Sequence, residues 1–386
     1  MRLNKMDKLL FVSYNHGHTN VADSIQNHRL IPALSEYYDI DVLQRKVKGG
    51  TEGVWSPEIY IIDRVIYKLF PFLLSVICLD KWLWCIFAYF KIRKTLSQYK
   101  YVVMVYEPYT TRHLHYMIKR WNRSKVISIL YDSYLDNIFM DRTNVGISLR
   151  KKIERKIFSL SEKVFVNNEK IFNIFKERYP ENSIFIVNLC GEDHLEVNTT
   201  NSFFNKPRIL IHGGNIYGKR RIDELNAVVC SLKRKRPTLS KELQILLYGS
   251  YCINYDKVRE DGNDDVIKKI PPKYGDEFKS IMREADGLIL IDPMDELNTC
   301  FPSKLCEYYQ YRKPIWGFAG KGTPSYLSLT NTGNIVGDTS ELEKMVNSLE
   351  LFLDASDNSY LSFDRECGNS FNPKSVSLKY REIIEG

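Results

Sequence analysis

Two stretches in the second half of the chain gather residue types that can hold a diphosphate. The first, HGGNIYGKRRIDEL at residues 212–225, leaves an apolar strand, passes through paired glycines and cations, and enters a helix. Glycines let a backbone approach a ligand closely, and helix N-terminal amides beside Lys and Arg side chains suit a doubly charged anion. Gly213, Gly214, Asn215 and Tyr217 would form the loop. Of the consecutive Lys219, Arg220 and Arg221, one or two should face the anion. The stretch lacks the GxxxxGKS/T spacing of a P-loop, and a solvated basic turn is its plain alternative. The second stretch is DPMDELNTCFPSKLCEYYQYRKPIW at residues 292–316. Pro302 sits where a helix can begin, because its missing N–H costs nothing there, and Thr299 or Ser303 can cap. Lys304 and Glu307 are three apart and share a helix face near that start. A lysine there suits a phosphate and a glutamate suits the paired hydroxyls of a ribose, yet the bare spacing fits a surface ion pair equally well.

The first half holds further candidates. In SYNHGHTN at residues 13–20, Gly17 lies between His16 and His18 in the loop after the first strand. Histidines at a strand end can orient a substrate or act as a base; a solvated polar loop is the alternative. A metal reading of the pair lacks a third ligand. Glu107 and Asp132 each follow a strand, YVVMVY and KVISILY, and are candidates for the same crevice. The HLH of residues 113–115 reads as helix surface, and the DID of residues 39–41 opens a strand and reads as structural.

These residues need elements to hold them. Apolar, β-rich runs recur at residues 8–14, 40–43, 101–106, 125–131, 163–167 and 183–188. Helical spacing lies between them, as in residues 21–38, where Ile25, Leu30, Ile31, Leu34 and Tyr38 form one stripe. A polar stretch at 191–207 interrupts and reads as a linker. The pattern then restarts: strands at 208–214, 243–249, 266–270, 287–292 and 313–318, helices at 222–235, 275–285, 303–311 and 375–386. Nearly continuous Val/Ile/Leu strands separated by helices predict parallel sheets covered on both faces. The expected class is α/β, with two Rossmann-like lobes facing a cleft: an acceptor-binding lobe at 1–195, a nucleotide-sugar lobe at 205–370, and a helix at 371–386 packing back on the first lobe. Ligands of such sheets sit beyond the carboxyl ends of strands.

Charge is uneven. The first 200 residues hold 29 of the 55 Lys and Arg but only 21 of the 47 Asp and Glu, so the whole excess of eight lies there. That half favours an anionic partner such as a membrane surface or a phosphate-bearing acceptor. Zinc-finger spacing and an RNP-type aromatic signature are absent, which argues against nucleic acid. The eight cysteines form no CxxC pair and read as free thiols of a reducing compartment. The N-terminal run Leu9–Val12 is too short for a leader, so a cytoplasmic protein is expected. Residues 65–94 are rich in aromatics but interrupted by Lys68, Pro71, Asp80 and Lys81. They read as a pair of buried helices, or as a face that dips into an anionic membrane at the cytoplasmic side.

Several stretches together resemble the GT-B glycosyltransferases of the family 4 group, which build bacterial surface polysaccharides. FPSKLCEYYQYRKPI is similar to that group's PSKLxEYxxxGKPI, and GGNIYGKRRIDEL to its phosphate loop. EKVFVNNEKIFNIFKERYP, and LLYGS followed by KKIPPKYGDEFKSIMREADGLIL, resemble two more of its segments. The resemblance implies a glycosyltransferase using a nucleotide-diphosphate sugar, UDP- or GDP-linked, as donor substrate, with a glycan or lipid-diphosphate-linked acceptor. It implies no cofactor and no essential metal, and a retaining reaction. Arg220 with Lys219, and Lys304, would hold the diphosphate beside Gly213, Gly214, Asn215 and Tyr217. Glu307 would take the ribose, and Gly249, Ile270 and Pro271 would lie towards the base. Thr299, Cys300, Phe301, Pro302 and Ser303 would lie near sugar or phosphate. This chain carries Thr299 where that group's paired glutamates place the first, with Asp292, Asp295 and Glu296 as substitutes. A sugar-nucleotide epimerase and a non-catalytic scaffold share the fold and remain alternatives.

Overall fold

A computed structural model describes residues 6–17, 21–46, 52–54, 79–106, 109–122, 124–138, 144–192, 207–337, 341–354 and 364–386. The chain divides into two compact units, one comprising residues 1–190, 299–301 and 372–386, the other 191–298 and 302–371. In the first unit, strands β1 (Lys8–Val12), β2 (Asp39–Leu43), β3 (Tyr101–Val105), β4 (Val126–Leu130), β5 (Lys163–Val166) and β6 (Ile184–Ile186) form a parallel sheet in the order β2-β1-β3-β4-β5-β6. Helices α1 (Ala22–Leu34), α2 (Leu79–Ile92), α3 (Arg112–Asn122), α4 (Asn144–Leu160) and α5 (Glu169–Arg178) alternate with them. In the second unit, β7 (Arg208–Gly213), β8 (Leu243–Tyr248), β9 (Ile267–Ile270), β10 (Gly287–Ile291), β11 (Ile315–Phe318) and β12 (Ile335–Gly337) are also all parallel, ordered β12-β11-β10-β7-β8-β9. Its helices are α6 (Asp223–Lys235), α7 (Tyr255–Glu260), α8 (Gly275–Glu284), α9 (Ser303–Gln310), α10 (Pro324–Asn331) and α11 (Leu342–Asp354); the last helix, α12 (Pro373–Glu385), belongs to the first unit. Both units are Rossmann-like.

The strands are apolar throughout because both sheet faces are covered. In β1, Leu10 and Val12 join a core with Trp84 of α2, Leu114 of α3, Ile157 of α4 and Phe175 of α5. The alternate residues Leu9 and Phe11 join a second core with Leu30 and Leu34 of α1 and Val376, Tyr380 and Ile384 of α12. Helix starts are written locally. The Asn168 side chain accepts from Ile171 N ahead of α5, and Thr323 does the same for Tyr326 N ahead of α10, where Pro324 is the first residue. Among the described residues, no helix is long and apolar enough to cross a membrane.

Two expectations are corrected. Helix α1 ends at Leu34, leaves Ile25 37% exposed, and buries Asp23, Ser24, Gln26 and Asn27 in its first turns. Each of these polar side chains has a partner, which is what permits its burial. Gln26 exchanges hydrogen bonds with the Cys190 backbone at 3.0 and 2.7 Å, Asn27 donates to Ser13 Oγ, Ser24 donates to His16 O, and Asp23 accepts from Asn15. His115 is not on the surface of α3 but wholly buried. Its Nε2 meets Leu160 O at 3.2 Å and its Nδ1 meets the Tyr106 hydroxyl, and burial pushes its pKa down to about 3. Four elements lie outside the sequence reading: α7, α10 and β12 are too short to set up a period, whereas α11 buries a helical stripe of Met345, Val346, Leu349, Phe352 and Leu353 that was legible.

Arg178, at the end of α5, clamps Glu154 of α4 and, at 3.0 Å, Asp136 after β4. Glu154 is 1% exposed at its side chain, and burial raises its pKa against the pull of Arg178. Removing the arginine strands a buried carboxylate, at a cost of about 3 kcal/mol. That carboxyl's pKa then stands further above its unfolded value, so the penalty is largest at neutral pH and shrinks as acid protonates it. Urea unfolding of Arg178→Ala should therefore show a loss of about 3 kcal/mol near neutral pH and a clearly smaller loss near pH 5.

Candidate functional site

The second sheet reverses direction at one place. From β7 the chain steps outward to β8 and β9, then crosses back to lay β10 on the other flank of β7 and continues to β11 and β12. Loops leaving β7 and β10 at their carboxyl ends therefore diverge, and the crevice between them is where such sheets bind ligands. The loop after β7 carries Gly213 to Arg220, and the residue after β10 is Asp292. Helix α9 brings Lys304 to the same place.

Three cations meet there, each with a defined partner. Arg220 Nε donates to Asp292 Oδ1 at 3.2 Å, and Asp292 is 2% exposed. The other Asp292 oxygen accepts from Ser325 and from Asn298 Nδ2 at 3.3 Å. Burial raises the Asp292 pKa, while Arg220 pulls it back. Lys219 Nζ lies 2.7 Å from Asp295 Oδ2 on the more open side. Lys304 Nζ lies 3.2 Å from Nε2 of the buried His212 on β7. Burial first, then repulsion from Arg220, bring the Lys304 pKa down to about 7, with Asp292 and Glu307 acting the other way. A positive cluster in a poorly hydrated crevice, held together by one buried carboxylate, is arranged to receive a multiply charged anion.

The glycines make the room. Gly214 has φ +115°, and a Cβ there would stand 3.0 Å from Lys304 Nζ. At Gly249, directly after β8, a Cβ would stand 2.6 Å from Gly214 O, so the two loops pass backbone to backbone. Gly213 N donates to the buried Tyr308 hydroxyl at 2.9 Å, tying β7 to α9. Asn215 Oδ1 accepts from Tyr251 N at 3.0 Å, and the Arg220 guanidinium lies 5.8 Å over the exposed Tyr217 ring. Helix α9 starts at Ser303 behind Pro302, with no side-chain cap on its N-terminal amides. Glu307 lies one turn on from Lys304. Ile270 and Pro271 end β9, on the flank beyond β8.

Thr299, Cys300 and Phe301 group with the first unit, where Thr299 O accepts from Asn168 Nδ2 at 3.1 Å. The buried Thr299 hydroxyl has no hydrogen-bond partner among the described residues. Asp292 and Asp295, weighed as substitutes for the missing glutamate, are instead the partners of Arg220 and Lys219. In the first unit His16 follows β1 and Asp132 follows β4; His18 and Glu107 lie outside the described residues. The His16 ring lies tilted by 32° against His28 with centroids 4.2 Å apart, and burial, reinforced by His28, lowers its pKa to about 4. Such a histidine is neutral at physiological pH and a weak base, better suited to hydrogen bonding than to proton abstraction. Asp132 accepts the Tyr109 hydroxyl at its backbone oxygen. Among the described residues, no group of three or more His, Cys, Asp or Glu could hold a metal.

Sequence reasoning passed over His212, Tyr308 and Ser325. His212 carried a signal: it follows the apolar run Ile209–Ile211 directly before the glycines, at a strand position an apolar residue would fill. Ser325 reaches Asp292 from α10, and nothing in the chain order announces that approach.

No family model matches the chain, and no curated protein matches it by sequence. Solved structures match it over nearly its whole length. Sucrose-phosphate synthase from Thermosynechococcus elongatus aligns with a TM-score of 0.70 at 12% identity, covering 98% of both chains. An α,α-trehalose-phosphate synthase (UDP-forming) from Burkholderia xenovorans gives 0.66 at 9% identity, over 98% of this chain and 100% of that one. A glycosyltransferase from Rickettsia africae gives 0.63 at 13% identity, over 99% of this chain and 98% of that one. The chain has the fold of the GT-B glycosyltransferases.

Gly214 tests the geometry without reference to any ligand. Alanine there should cost roughly 1–3 kcal/mol, because its backbone must leave the left-handed region or force an L side chain into it. Its methyl group should also displace the Lys304 ammonium. Thermal unfolding measures the first effect, and a shifted Lys304 titration followed by NMR measures the second.

Proposed function

We propose that the chain is a glycosyltransferase that moves a sugar from a UDP- or GDP-linked donor to a glycan or lipid-diphosphate-linked glycan in cell-surface polysaccharide synthesis. The observation that carries this reading is the cluster of Lys304, Arg220 and Lys219 around the Gly214 loop, at the switch point of the second sheet. The fold supports it, and so does the UDP-forming activity in the name of one structural neighbour. In this reading the donor diphosphate lies against Lys304, Arg220 and the first-turn amides of α9, with Lys219 at the open side. Glu307 takes the ribose hydroxyls, and the base extends along the carboxyl ends of β8 and β9 past Gly249 to Ile270 and Pro271. The acceptor belongs to the first unit, towards His16, His18, Glu107 and Asp132.

The chemistry follows from where charge develops. As the bond from the anomeric carbon to the diphosphate oxygen breaks, its electron pair goes to the phosphate. The fixed cations and helix-end amides stabilise that charge without a metal. The acceptor hydroxyl forms the new bond to the anomeric carbon and gives its proton to the departing phosphate. Commitment of Asp292 and Asp295 to Arg220 and Lys219 supports this retaining route, since neither carboxylate is left to act as a base or nucleophile.

Helix α2 supports a membrane-surface location. Its Trp84, Cys85, Ala88 and Ile92 are buried, while Trp82, Phe87 and Phe90 on the other side are exposed, Phe90 to 56%. Lys91, Arg93 and Lys94 follow, all exposed, with the Arg93 guanidinium 4.9 Å over the Phe90 ring. An aromatic face with a basic margin suits the headgroup region of an anionic membrane at the inner face of the cell.

Two experiments test these readings. Thermal unfolding with UDP, GDP, ADP, dTDP and CMP, without added metal, should show one diphosphate raising the midpoint by several degrees, as expected for about 2.7 kcal/mol at a hundredfold excess over Kd. The shift should vanish in Lys304→Ala. It should shrink between about pH 7 and pH 9 as Lys304 loses its proton. No shift with any nucleotide in wild type removes the donor reading. Separately, Phe87→Asp combined with Phe90→Asp should abolish flotation with vesicles rich in anionic lipid; retained flotation by the folded variant removes the membrane reading.

A further inference from the structure

We infer that His212 is the positioning residue for Lys304: a neutral imidazole in the Nδ1–H tautomer whose Nε2 lone pair holds the lysine ammonium at the mouth of the Gly214 loop. Its consequence for donor binding rests on the reading of Lys304 as a diphosphate ligand. The tautomer follows from the partners. His212 Nδ1 lies 3.0 Å from Ile289 O, and a carbonyl only accepts, so Nδ1 carries the proton. A neutral ring then leaves Nε2 bare, and Lys304 Nζ at 3.2 Å donates to it. A protonated ring would set an N–H against an ammonium with no acceptor between them. Burial, with repulsion from Lys304, holds the His212 pKa well below its usual value, in keeping with the neutral form.

Lys304 has reason to need such a partner. Its four-carbon stem has many rotamers, and the charged groups around it pull in opposite directions. Arg220, in the loop after β7, repels it; Asp292, after β10, and Glu307, on its own helix, attract it. His212, beneath it on β7, adds an acceptor without adding charge. An ammonium has three donors, so the bond to Nε2 leaves two for phosphate oxygens. The arrangement extends from one sheet interior to the ligand: Ile289 on β10 fixes the ring on β7, and the ring fixes the lysine on α9. The missing Gly214 side chain leaves the ammonium its place.

Two near-isosteric variants separate the halves of this device. The amide of His212→Gln can reach the Nε2 position with an oxygen acceptor. His212→Asn can keep a donor at the Nδ1 position but has nothing to reach Lys304. In ligand-free protein, 15N-histidine NMR should show, for the resonance lost in H212Q, a protonated Nδ1 and a bare Nε2. 13Cε-lysine NMR should show the Lys304 titration about one pH unit lower in H212N, where the ammonium has lost its acceptor, and near wild type in H212Q. Calorimetry with UDP, or with whichever diphosphate stabilises the protein, should then show affinity about tenfold weaker in H212N and within about threefold of wild type in H212Q. A protonated Nε2 in wild type overturns the inference, as does an unchanged Lys304 titration in H212N. Both measurements are made without nucleotide, so they decide the role of His212 even if no nucleotide binds and the donor reading fails.

Discussion

Lys304 and Arg220 repel one another in a crevice where water is scarce, and the buried carboxylate of Asp292 keeps the arrangement from flying apart. Much of the second unit is organised around that ion pair. Asp292 directly follows the central strand β10, Ser325 reaches it from α10, and Asn298 reaches it from the loop that leads to α9. A buried pair of this kind is weak evidence of stability, because desolvation offsets most of its attraction. Its value lies in direction. The guanidinium is anchored through Nε on Asp292, and the lysine is held by an uncharged ring. In the proposed reading such a cluster meets its anion already arranged, which is the condition for electrostatic catalysis without reorganisation.

The first unit uses the same sheet logic with different chemistry. Its chain also reverses beside its first strand, with β2 on one flank of β1 and β3 on the other. The element that follows β1 is α1, whose first turns are polar inside. Asp23, Ser24, Gln26 and Asn27 tie the loop after β1 to the helix and to the backbone at Cys190. The loop bearing His16 is thereby braced by hydrogen bonds where packing of apolar side chains would be usual. His16, packed at a tilt against His28 and kept neutral by burial, presents an imidazole that will not pick up a proton at physiological pH.

The α/β class, the parallel strands and most element positions were legible because buried parallel strands leave an unmistakable apolar run, as in VISIL and GLILI. The glycines and cations after β7 stood out for a similar reason: they follow one another in the chain, so no long-range contact is needed to see them together. What escaped was long-range. That Asp292 would engage Arg220 depends on two loops 72 residues apart meeting at the reversal of a sheet. The inward polar face of α1 contradicts its own apolar spacing, because its partners at Ser13 and Cys190 come from outside the helix. His115 looked like surface beside His113, yet Tyr106 and Leu160 supply the hydrogen bonds that let it be buried.

Helix α12 gives the chain an order of completion. It supplies Val376, Tyr380 and Ile384 to the core that also holds Leu9 and Phe11 of β1. The unit that begins at the first strand is therefore closed by the last helix, and the second unit is, in chain terms, an insertion within it. During synthesis the second unit has all of its residues before the first does. One face of the first sheet, with the Leu30 and Leu34 side of α1, waits through the translation of everything between. However early its first strand is made, that core cannot close until the residues of α12 have followed those of the whole second unit.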